Sequence, residues 1–395
     1  MSITKHWKRS LALMAGAALL FSACGDSNDE KTAAKSETSS AAKADAPGVG
    51  GKAIGFIFVG PKDDFGYNQA AYDGSEAVKK AYPDLEVLQA ENVPETAEAE
   101  RVVEGMIKKG AKIIFTTSFG HKDYALKIAA RHPDVAVLQQ GNVIEGKVPA
   151  NIGTFFGNVY EPVYLAGIAA GKATKTNKLG YVAAFPIPQT LLNINAFQRG
   201  AASVNPAVET YTVFTSSWCD PGKQADAAKS LLGQGIDVLT QHQDCTGTII
   251  KTAEAAGAMS VGYHADASSL APKGWITGSE WDWGPLYVDM VKTVLAGDFT
   301  GSKYNDNFRA GYKSDPAEGE LSPLVQSIFG PMVTDETKAL VEKAKADISG
   351  AGSPFAGPVV DQDGVEKVPA GTIPSYADLE NMDYLVKGVV GKMPS

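Results

Sequence analysis

The chain has 395 residues, of which 44% are hydrophobic and 21% are charged, and its formal net charge is -9 with a pI near 5.2. This acidic balance argues against a nucleic-acid partner, because nucleic-acid-binding proteins carry basic surfaces that neutralise phosphates. The length exceeds what one ordinary core supports, so we expect two lobes.

The N-terminus has the pattern of an export signal. Lys5, Lys8 and Arg9 precede an apolar segment, residues 11–21, that is too short to anchor the chain stably in a bilayer. The segment ends in Phe-Ser-Ala-Cys, which resembles a bacterial lipoprotein signal with Cys24 as the lipidated residue. Only a thiolate is nucleophilic enough to take the diacylglycerol group. We expect an exported protein, periplasmic or at the cell surface, held to the membrane by a lipid on Cys24; the alternative is cleavage here without lipidation.

Residues 25–51 are rich in Ser, Ala, Lys, Asp and Glu and contain no aromatic residue. Such a composition does not bury enough surface to fold, so it predicts a disordered linker. After the export signal, no segment reaches the 18 or so uninterrupted apolar residues of a membrane-spanning helix.

From residue 52 onward, short apolar segments alternate with amphipathic ones. Strands are predicted over 53–59, 85–90, 112–116, 135–139 and 152–156, and helices over 68–82, 95–109, 122–131 and 162–173. Near-continuous apolar strands separated by helices of three or four turns are typical of a parallel sheet covered on both faces.

The same alternation restarts after residues 174–177. Strands are predicted over 179–184, 208–214, 238–241 and 259–263, and helices over 193–204, 223–234 and 246–256. The pattern predicts an α/β protein with two doubly wound parallel-sheet lobes joined by a hinge. The expected organisation is a signal peptide over 1–24, a linker over 25–51, a first lobe over 52–176 completed by about 283–320, and a second lobe over 177–282 completed by about 321–395.

The loops after the predicted strands place aromatic residues beside amides or carboxylates. Stacking on a planar ring supplies affinity, and Asn, Gln or Asp edges supply specificity through hydrogen bonds. A cleft with these loops suits a flat heterocycle with a hydrogen-bonding rim. For each aromatic residue taken singly, the alternative is packing against its own lobe.

Several of these loops resemble the basic membrane protein family, the PnrA-like group of ABC-transporter substrate-binding lipoproteins. The resemblance covers most of residues 52–300 and is most specific in segments 65–68, 91–95, 115–120, 218–223 and 234–244. These segments are most similar to the branch associated with purine bases. The resemblance implies a type I periplasmic binding protein fold and delivery of the ligand to a membrane permease.

The resemblance also assigns roles to particular residues. Two aromatic residues sandwich the base in nucleoside-binding members, and the matching positions are Tyr67 and Trp218. Asn68 matches a base or ribose contact, and Asp266 matches the carboxylate that follows the last strand of the second lobe. Asn68, Asp244 and Asp266 are expected to form the hydrogen-bonding rim. Further candidates are Phe119, Asn195, His242 and Trp283.

This chain departs from the nucleoside-binding members at one point. Those relatives carry a lysine that contacts the ribose hydroxyls, whereas segment 280–283 has no lysine and has two tryptophans. Indoles in that space favour a free base, or another small heterocycle, over a nucleoside. The acidic segment of the first loop is also shortened, which leaves open whether Asp63 or Asp64 takes its role.

A metal site is the competing interpretation of the second-lobe loops. Residues 242–245 and 264–266 contain histidine, aspartate and cysteine, which could ligate zinc, but the spacings C-x-x-C and H-x-x-x-H are absent. No nucleophile elbow, Walker loop or dinucleotide fingerprint is present either. We therefore expect no enzyme activity, no cofactor and no metal. A sensory or metal-binding extracytoplasmic lipoprotein with the same fold remains the alternative.

Cys219 and Cys245 follow consecutive predicted parallel strands. The ends of neighbouring strands lie about 5 Å apart, a separation compatible with a disulfide. We hypothesise that the two cysteines are bonded and stiffen the second-lobe rim; two separate buried thiols are the alternative.

Overall fold

The computed structural model describes residues 43–314 and 320–394; the export signal and Cys24 lie outside these ranges. The strands are β1 (Ala53–Ile57), β2 (Glu86–Ala90), β3 (Ala111–Thr116), β4 (Ala136–Gln140), β5 (Ile152–Gly157), β6 (Lys178–Ala183), β7 (Glu209–Phe214), β8 (Val238–His242), β9 (Met259–His264), β10 (Trp275–Trp281), β11 (Asn307–Ala310), β12 (Leu324–Gln326), β13 (Val359–Val360), β14 (Glu366–Val368) and β15 (Val389–Val390). The α-helices are α1 (Tyr67–Ala81), α2 (Ala97–Lys108), α3 (Lys122–Arg131), α4 (Tyr160–Ala173), α5 (Pro188–Val204), α6 (Pro221–Leu232), α7 (Gly247–Ala255), α8 (Gly284–Leu295), α9 (Asp335–Ser349) and α10 (Tyr376–Leu379).

The strands form two main sheets, one in each lobe. The first has the order β11-β5-β4-β3-β1-β2 and the second has the order β12-β10-β9-β8-β6-β7-β15. All neighbouring strands in these sheets are parallel except β10 and β12. Helices cover the sheets; β1, β8 and β9 are fully buried, and β3 is buried except at Lys112. The predicted fold class, two doubly wound α/β lobes, is confirmed.

Helix α5 begins five residues before the predicted position 193, at Pro188. Proline is favoured in the first helical turn, because its missing N–H has no partner there and its φ angle is already helical. The earlier start brings Gln189 into the first turn of α5, at the edge of the cleft described below.

Helix α4 packs against α5 and β10 in the second lobe, whereas the sequence places it in the first. Glycines make the contact possible, because a Cβ atom at Gly167 would lie 2.3 Å from the Phe197 carbonyl oxygen and one at Gly171 would lie 2.6 Å from the Ala201 carbonyl oxygen. The two helix backbones therefore approach more closely than they could if these positions carried a Cβ atom. Helix α4 thus packs with the second lobe, although it directly follows the β5 strand of the first.

The described part of the expected linker contacts the first lobe. Gly48 N donates a hydrogen bond to Asp134 O over 2.9 Å, and Lys43 forms an exposed ion pair with Asp298. A Cβ atom at Gly48 would lie 2.1 Å from Val294 Cγ1, so this glycine is tightly packed. Within the described residues, no helix is both long enough and apolar enough to cross a membrane.

A buried carboxyl group lies where the chain crosses between lobes. Glu161, in the first turn of α4, is 4% exposed and accepts hydrogen bonds from Tyr312 N over 2.7 Å and from Asn158 Nδ2 over 3.3 Å. Burial outweighs these hydrogen bonds and the nearby charge of Lys313, and it raises the pKa of Glu161 to about 7. The side chain is therefore about half ionised near neutral pH.

We expect the free energy of unfolding to fall between about pH 5 and 8, and Glu161→Gln to remove part of that fall. The folded-state pKa of Glu161 exceeds the ordinary pKa of 4.5. The contribution of Glu161 to the free energy of unfolding is therefore fully present below about pH 4.5 and is lost as the pH rises through about 7. A shift of this size corresponds to about 3 kcal/mol. Glu280, whose pKa burial also raises to about 7, contributes in the same direction.

Urea unfolding of the wild-type protein and the variant across this pH range measures the effect. Glu366→Gln, which changes an exposed carboxylate on β14, should keep the wild-type pH profile. The prediction fails if Glu161→Gln and the wild-type protein show parallel profiles.

Candidate functional site

The cleft between the lobes is lined by side chains at and after the carboxyl ends of the strands, where open α/β sheets bind ligands. The first lobe contributes Tyr67, Ser118, Phe119, Gly141 and Phe156. The second lobe contributes Gln189, Trp218, His242, Asp244, Tyr263 and His264. Aromatic rings from both lobes thus line one space, together with amide, hydroxyl, carboxyl and imidazole groups.

The cleft is narrow. The cavity volume is about 30 Å³ in the cleft and about 440 Å³ in an outer cavity next to it. Phe119 and Gln189 line both spaces, so they lie between the cleft and the outer cavity.

Tyr67 and Asn68 begin helix α1. The Tyr67 hydroxyl accepts a hydrogen bond from Gln140 Nε2 over 2.9 Å, and Asn68 Oδ1 accepts one from Gly60 N over 2.9 Å. Each side chain is therefore held by a group of the first lobe. The Tyr67 ring remains part of the cleft wall.

Two buried carboxyl groups from opposite lobes share one amide donor. Asn68 Nδ2 donates to Asp64 Oδ2 over 2.8 Å and to Asp244 Oδ2 over 3.1 Å. Asp64 also accepts from the backbone N–H groups of Gly66, Asn68 and Gln69, and these donors stabilise its negative charge. Burial, reinforced by the charge of Asp64, raises the pKa of Asp244 well above its usual range. Burial therefore favours the neutral form of Asp244, whose hydroxyl can donate a hydrogen bond.

The sequence left open whether Asp63 or Asp64 supplies the acidic group of the first loop, and burial distinguishes the two. Asp64 is 5% exposed and forms the contacts just described, whereas the neighbouring Asp63 is exposed to solvent. Asp64 therefore supplies the carboxylate of this loop beside the cleft.

Trp218 follows β7 and is tied to the first lobe by its indole. Its Nε1 donates to Glu95 Oε2 over 3.3 Å, and its ring contacts Phe185 edge-to-face with centroids 5.1 Å apart. Glu95 Oε1 accepts from Ser118 Oγ over 2.6 Å and from Gly120 N over 2.8 Å. One carboxylate thus holds the turn that carries Phe119 and, across the cleft, the Trp218 indole.

In the structure Cys219 and Cys245 form a disulfide, with Cα atoms 5.4 Å apart. Each cysteine directly follows a cleft residue, Trp218 or Asp244, and Asp244 N donates to Trp218 O over 2.9 Å. The covalent bond therefore joins the two second-lobe loops that carry these residues. Cross-linking a loop of this length stabilises the fold by about 3.5 kcal/mol in the chain-entropy model.

Two buried imidazoles line the cleft from the second lobe. His242 and His264 are 6% and 3% exposed, with ring centroids 5.9 Å apart. Burial lowers the pKa of His242 to about 3. Burial, with a smaller effect from His242, lowers the pKa of His264 well below its usual range. Both rings are neutral at physiological pH, so each has one N–H donor and one acceptor nitrogen.

The structure contradicts three of the predicted ligand contacts. Asn195 lies on the face of α5 opposite to Asn193, because two residues correspond to about 200° of helical rotation. It donates to Tyr384 O over 2.8 Å and accepts from Val386 N over 2.9 Å, so its side chain holds the C-terminal segment. Asn193, on the cleft-facing side, donates instead to His242 Nδ1 over 3.1 Å.

Asp266 and Trp283 are also outside the cleft. Asp266 is exposed, and its carboxylate accepts a hydrogen bond from Ser268 N over 2.9 Å after the chain has turned away from β9. Trp283 is fully buried and stacks on Trp281 with ring centroids 4.6 Å apart and on Tyr287 with centroids 5.8 Å apart. It belongs to the core because α8, which begins after it, packs on α1 of the first lobe.

Several cleft residues do not appear among the sequence candidates. They are Ser118, Gly141, Phe156, Gln189, Tyr263 and His264, with Glu95 directly behind the wall. Glu95 and Ser118 lie within segments that carry the family resemblance, and His264 ends a predicted strand region, so a signal existed for these three. Phe156 and Tyr263 read as ordinary strand residues, since nothing in a buried β pattern marks the one ring that reaches the cleft.

Backbone strain is concentrated at the cleft. Phe65, Ser216, Cys245 and His264 have φ angles of 52°, 52°, 54° and 76°, in the left-handed region that residues with a side chain rarely adopt. All four lie in loops or strand ends that border the site. Strained conformations of this kind persist where surrounding contacts hold them, and they cluster at functional sites.

The same loops do not form a metal centre. Within residues 43–314 and 320–394, no group of three or more His, Cys, Asp and Glu side chains is placed to hold a metal ion. The cysteines are bonded to each other, Asp266 is turned to solvent, and the Nδ1 atoms of both histidines accept hydrogen bonds from the protein. These contacts favour an organic ligand.

The fold and cleft define a two-lobed binding protein that closes on a small ligand. The chain belongs to the ABC transporter substrate-binding protein PnrA-like family, whose model matches residues 52–308. Proteins of this family are extracytoplasmic solute-binding components of ABC transporters, which bind small molecules and a permease and are not enzymes.

Relatives and solved structures agree with this assignment. The chain is 36% identical to a purine-binding protein of Brucella abortus over 86% of this chain and 93% of that protein. It is 30% identical to a Haloferax volcanii protein named as an ABC transporter glucose-binding protein, over 76% of this chain and 75% of that protein. A solute-binding protein of an ABC transporter from Aeropyrum pernix has the same fold, with a TM-score of 0.64, 19% identity, and coverage of 75% of this chain and 91% of that chain.

Proposed function

We propose that this protein captures a free purine base in the cleft and delivers it to the permease of an ABC importer. The observation that carries the proposal is the pairing of aromatic walls from both lobes with neutral hydrogen-bonding groups. Tyr67 and Phe156 line the cleft from the first lobe, and Trp218 lines it from the second. A ligand gripped by both lobes favours the closed conformation, which is what a two-state closure requires.

The charge of the cleft specifies the kind of heterocycle. None of the residues that line the cleft is a lysine or an arginine, His242 and His264 are neutral near pH 7, and burial favours the neutral form of Asp244. A phosphorylated nucleotide would find no cation to pair with its phosphate. An uncharged base can accept hydrogen bonds from the imidazoles and can exchange hydrogen bonds with the Asp244 carboxyl group.

Two other ligands have specific support. A nucleoside could extend its ribose past Phe119 and Gln189 into the outer cavity. Glucose is favoured by the name of the Haloferax volcanii relative. The narrow cleft favours the free base, because a pyranose is thicker than an aromatic ring and its hydroxyls need many polar partners.

Titration calorimetry and thermal unfolding of the purified full chain in detergent separate these candidates. We expect adenine, hypoxanthine or guanine to bind, and a ligand at 100 times its dissociation constant to stabilise the protein by about 2.7 kcal/mol. Nucleosides should bind more weakly, and nucleotides and glucose should not bind. Binding of glucose without binding of any purine would overturn the proposal.

The lipid anchor is the second part of the proposal. It is supported by the basic and apolar segment that ends in Phe-Ser-Ala-Cys and by the polar stretch that follows. Cells grown with radiolabelled palmitate should label the wild-type protein and leave Cys24→Ala unlabelled. Equal labelling of both proteins, or of neither, would contradict the anchor and leave the ligand proposal untouched.

A further inference from the structure

The imidazole of His264 is held in one orientation by a tryptophan on the neighbouring strand. His264 ends β9, Trp281 ends β10, and Glu280 is the register partner of His264 in this parallel pair. Trp281 Nε1 lies 2.8 Å from His264 Nδ1, and both side chains are buried. Indole nitrogen is a donor only, so His264 Nδ1 must be the acceptor and carry no hydrogen.

The hydrogen of the neutral ring is therefore on Nε2. Among the described residues, no protein group accepts a hydrogen bond from this Nε2–H. The ring lines the cleft, and its Nδ1 is already bonded to Trp281, so Nε2 is the nitrogen that remains for a ligand. A bound ligand is the group that can supply the acceptor.

The surroundings of His264 keep this donor in place. Its ring contacts Tyr67 edge-to-face at 5.0 Å, and its centroid lies 3.6 Å from that of Tyr263 and 5.9 Å from that of His242. Desolvation and the neighbouring His242 disfavour a second proton. The backbone at φ 76° further restricts where the ring can point.

We propose that Trp281 fixes His264 as the Nε2–H tautomer, and that this N–H selects the purine by donating to one of its ring nitrogens. The inference rests on the proposed function of the cleft and adds the rule by which it chooses among purines. His264 contacts the ligand, and Trp281 is a positioning residue that acts through His264.

Purine analogues in which one ring nitrogen is replaced by C–H test the selection. For the wild-type full chain, calorimetry should find one deaza analogue that binds about tenfold more weakly than its parent base, the loss expected for one hydrogen bond to a buried donor. In His264→Gly the ratio between that analogue and its parent should approach one. Glycine suits the left-handed backbone at this position, so the variant removes the ring without adding backbone strain.

A second variant and a spectroscopic signal separate positioning from folding. The nitrogen-15 NMR shifts of His264 in the wild-type protein should report hydrogen on Nε2 alone. Trp281→Phe, which keeps an aromatic ring but removes the indole N–H, should give a mixture of tautomers and a smaller analogue ratio. The melting temperature of each variant checks that it folds.

The outcomes distinguish this inference from the proposed function. If the wild-type protein binds purines and the analogue ratio is the same in His264→Gly, the inference is overturned and the proposed function stands. A wild-type NMR spectrum with hydrogen on Nδ1 also overturns it, whatever the ligand. If the wild-type protein binds no purine, the proposed function fails, and the selection by His264 fails with it.

Discussion

Trp218→Ala is expected to weaken binding of the purine base by about 5- to 150-fold, because stacking of one base on an aromatic side chain contributes about 1–3 kcal/mol. The change also removes the indole N–H that donates to Glu95 across the cleft. Trp218 is a partly exposed loop residue outside the buried core, so the variant should fold. Calorimetric affinity and the melting temperature without ligand measure the two effects separately.

Trp218→Phe is the matched control. Phenylalanine keeps a ring for stacking but cannot donate to Glu95, so its affinity should lie between those of the wild-type protein and Trp218→Ala. If Trp218→Phe loses as much affinity as Trp218→Ala, the effect comes from the lost hydrogen bond to Glu95 and not from stacking. Wild-type affinity in Trp218→Ala would contradict stacking by this residue.

The second large effect concerns the crossing of helices α4 and α5. A Cβ atom at Gly200 would lie 2.0 Å from the Tyr164 carbonyl oxygen, a separation that backbone atoms cannot accommodate. Gly200→Leu should force the helices apart and lower the free energy of unfolding by about 3 kcal/mol or more. Urea unfolding followed by circular dichroism measures this change.

Gly105→Leu provides the control with the same substitution. Gly105 is in helix α2, and a Cβ atom there would have no heavy atom within 4 Å. Leucine has a higher helix propensity than glycine by about 0.8 kcal/mol, so this variant should be as stable as the wild-type protein or slightly more stable. Similar free energies of unfolding for both variants would show that the close approach of α4 and α5 does not control stability.

The order of strands and helices could be predicted from the sequence because it depends on local pattern. Buried parallel strands are continuously apolar, and helices repeat their apolar residues every three to four positions. Where a local signal was overlooked, as with proline at the start of α5, the boundary moved by a few residues. The assignment of α4 to a lobe failed for another reason, since it depends on which partner fits its glycines.

The structure brings predicted site residues together where position along a strand decides their place. Tyr67, Trp218, His242 and Asp244 line the cleft, and Asn68 joins Asp64 to Asp244 behind its wall, because loops that follow parallel strands meet at one edge of a sheet. The predictions failed where the direction of a side chain decides it. Asn195 points to the opposite face of its helix, and Trp283 packs inside the lobe that its helix joins.

By itself, the sequence determined the exported character expected of the chain, the two α/β lobes and the family, since these follow from composition, periodicity and long matching segments. The tertiary structure alone decided which carboxyl group has its pKa raised by burial, which nitrogen of His264 carries hydrogen and which side chains bridge the lobes. These properties depend on desolvation and on hydrogen bonds between residues far apart in the chain, such as Asn68 with Asp244 and Trp218 with Glu95. No local pattern encodes them, because they arise only when the two lobes are brought together.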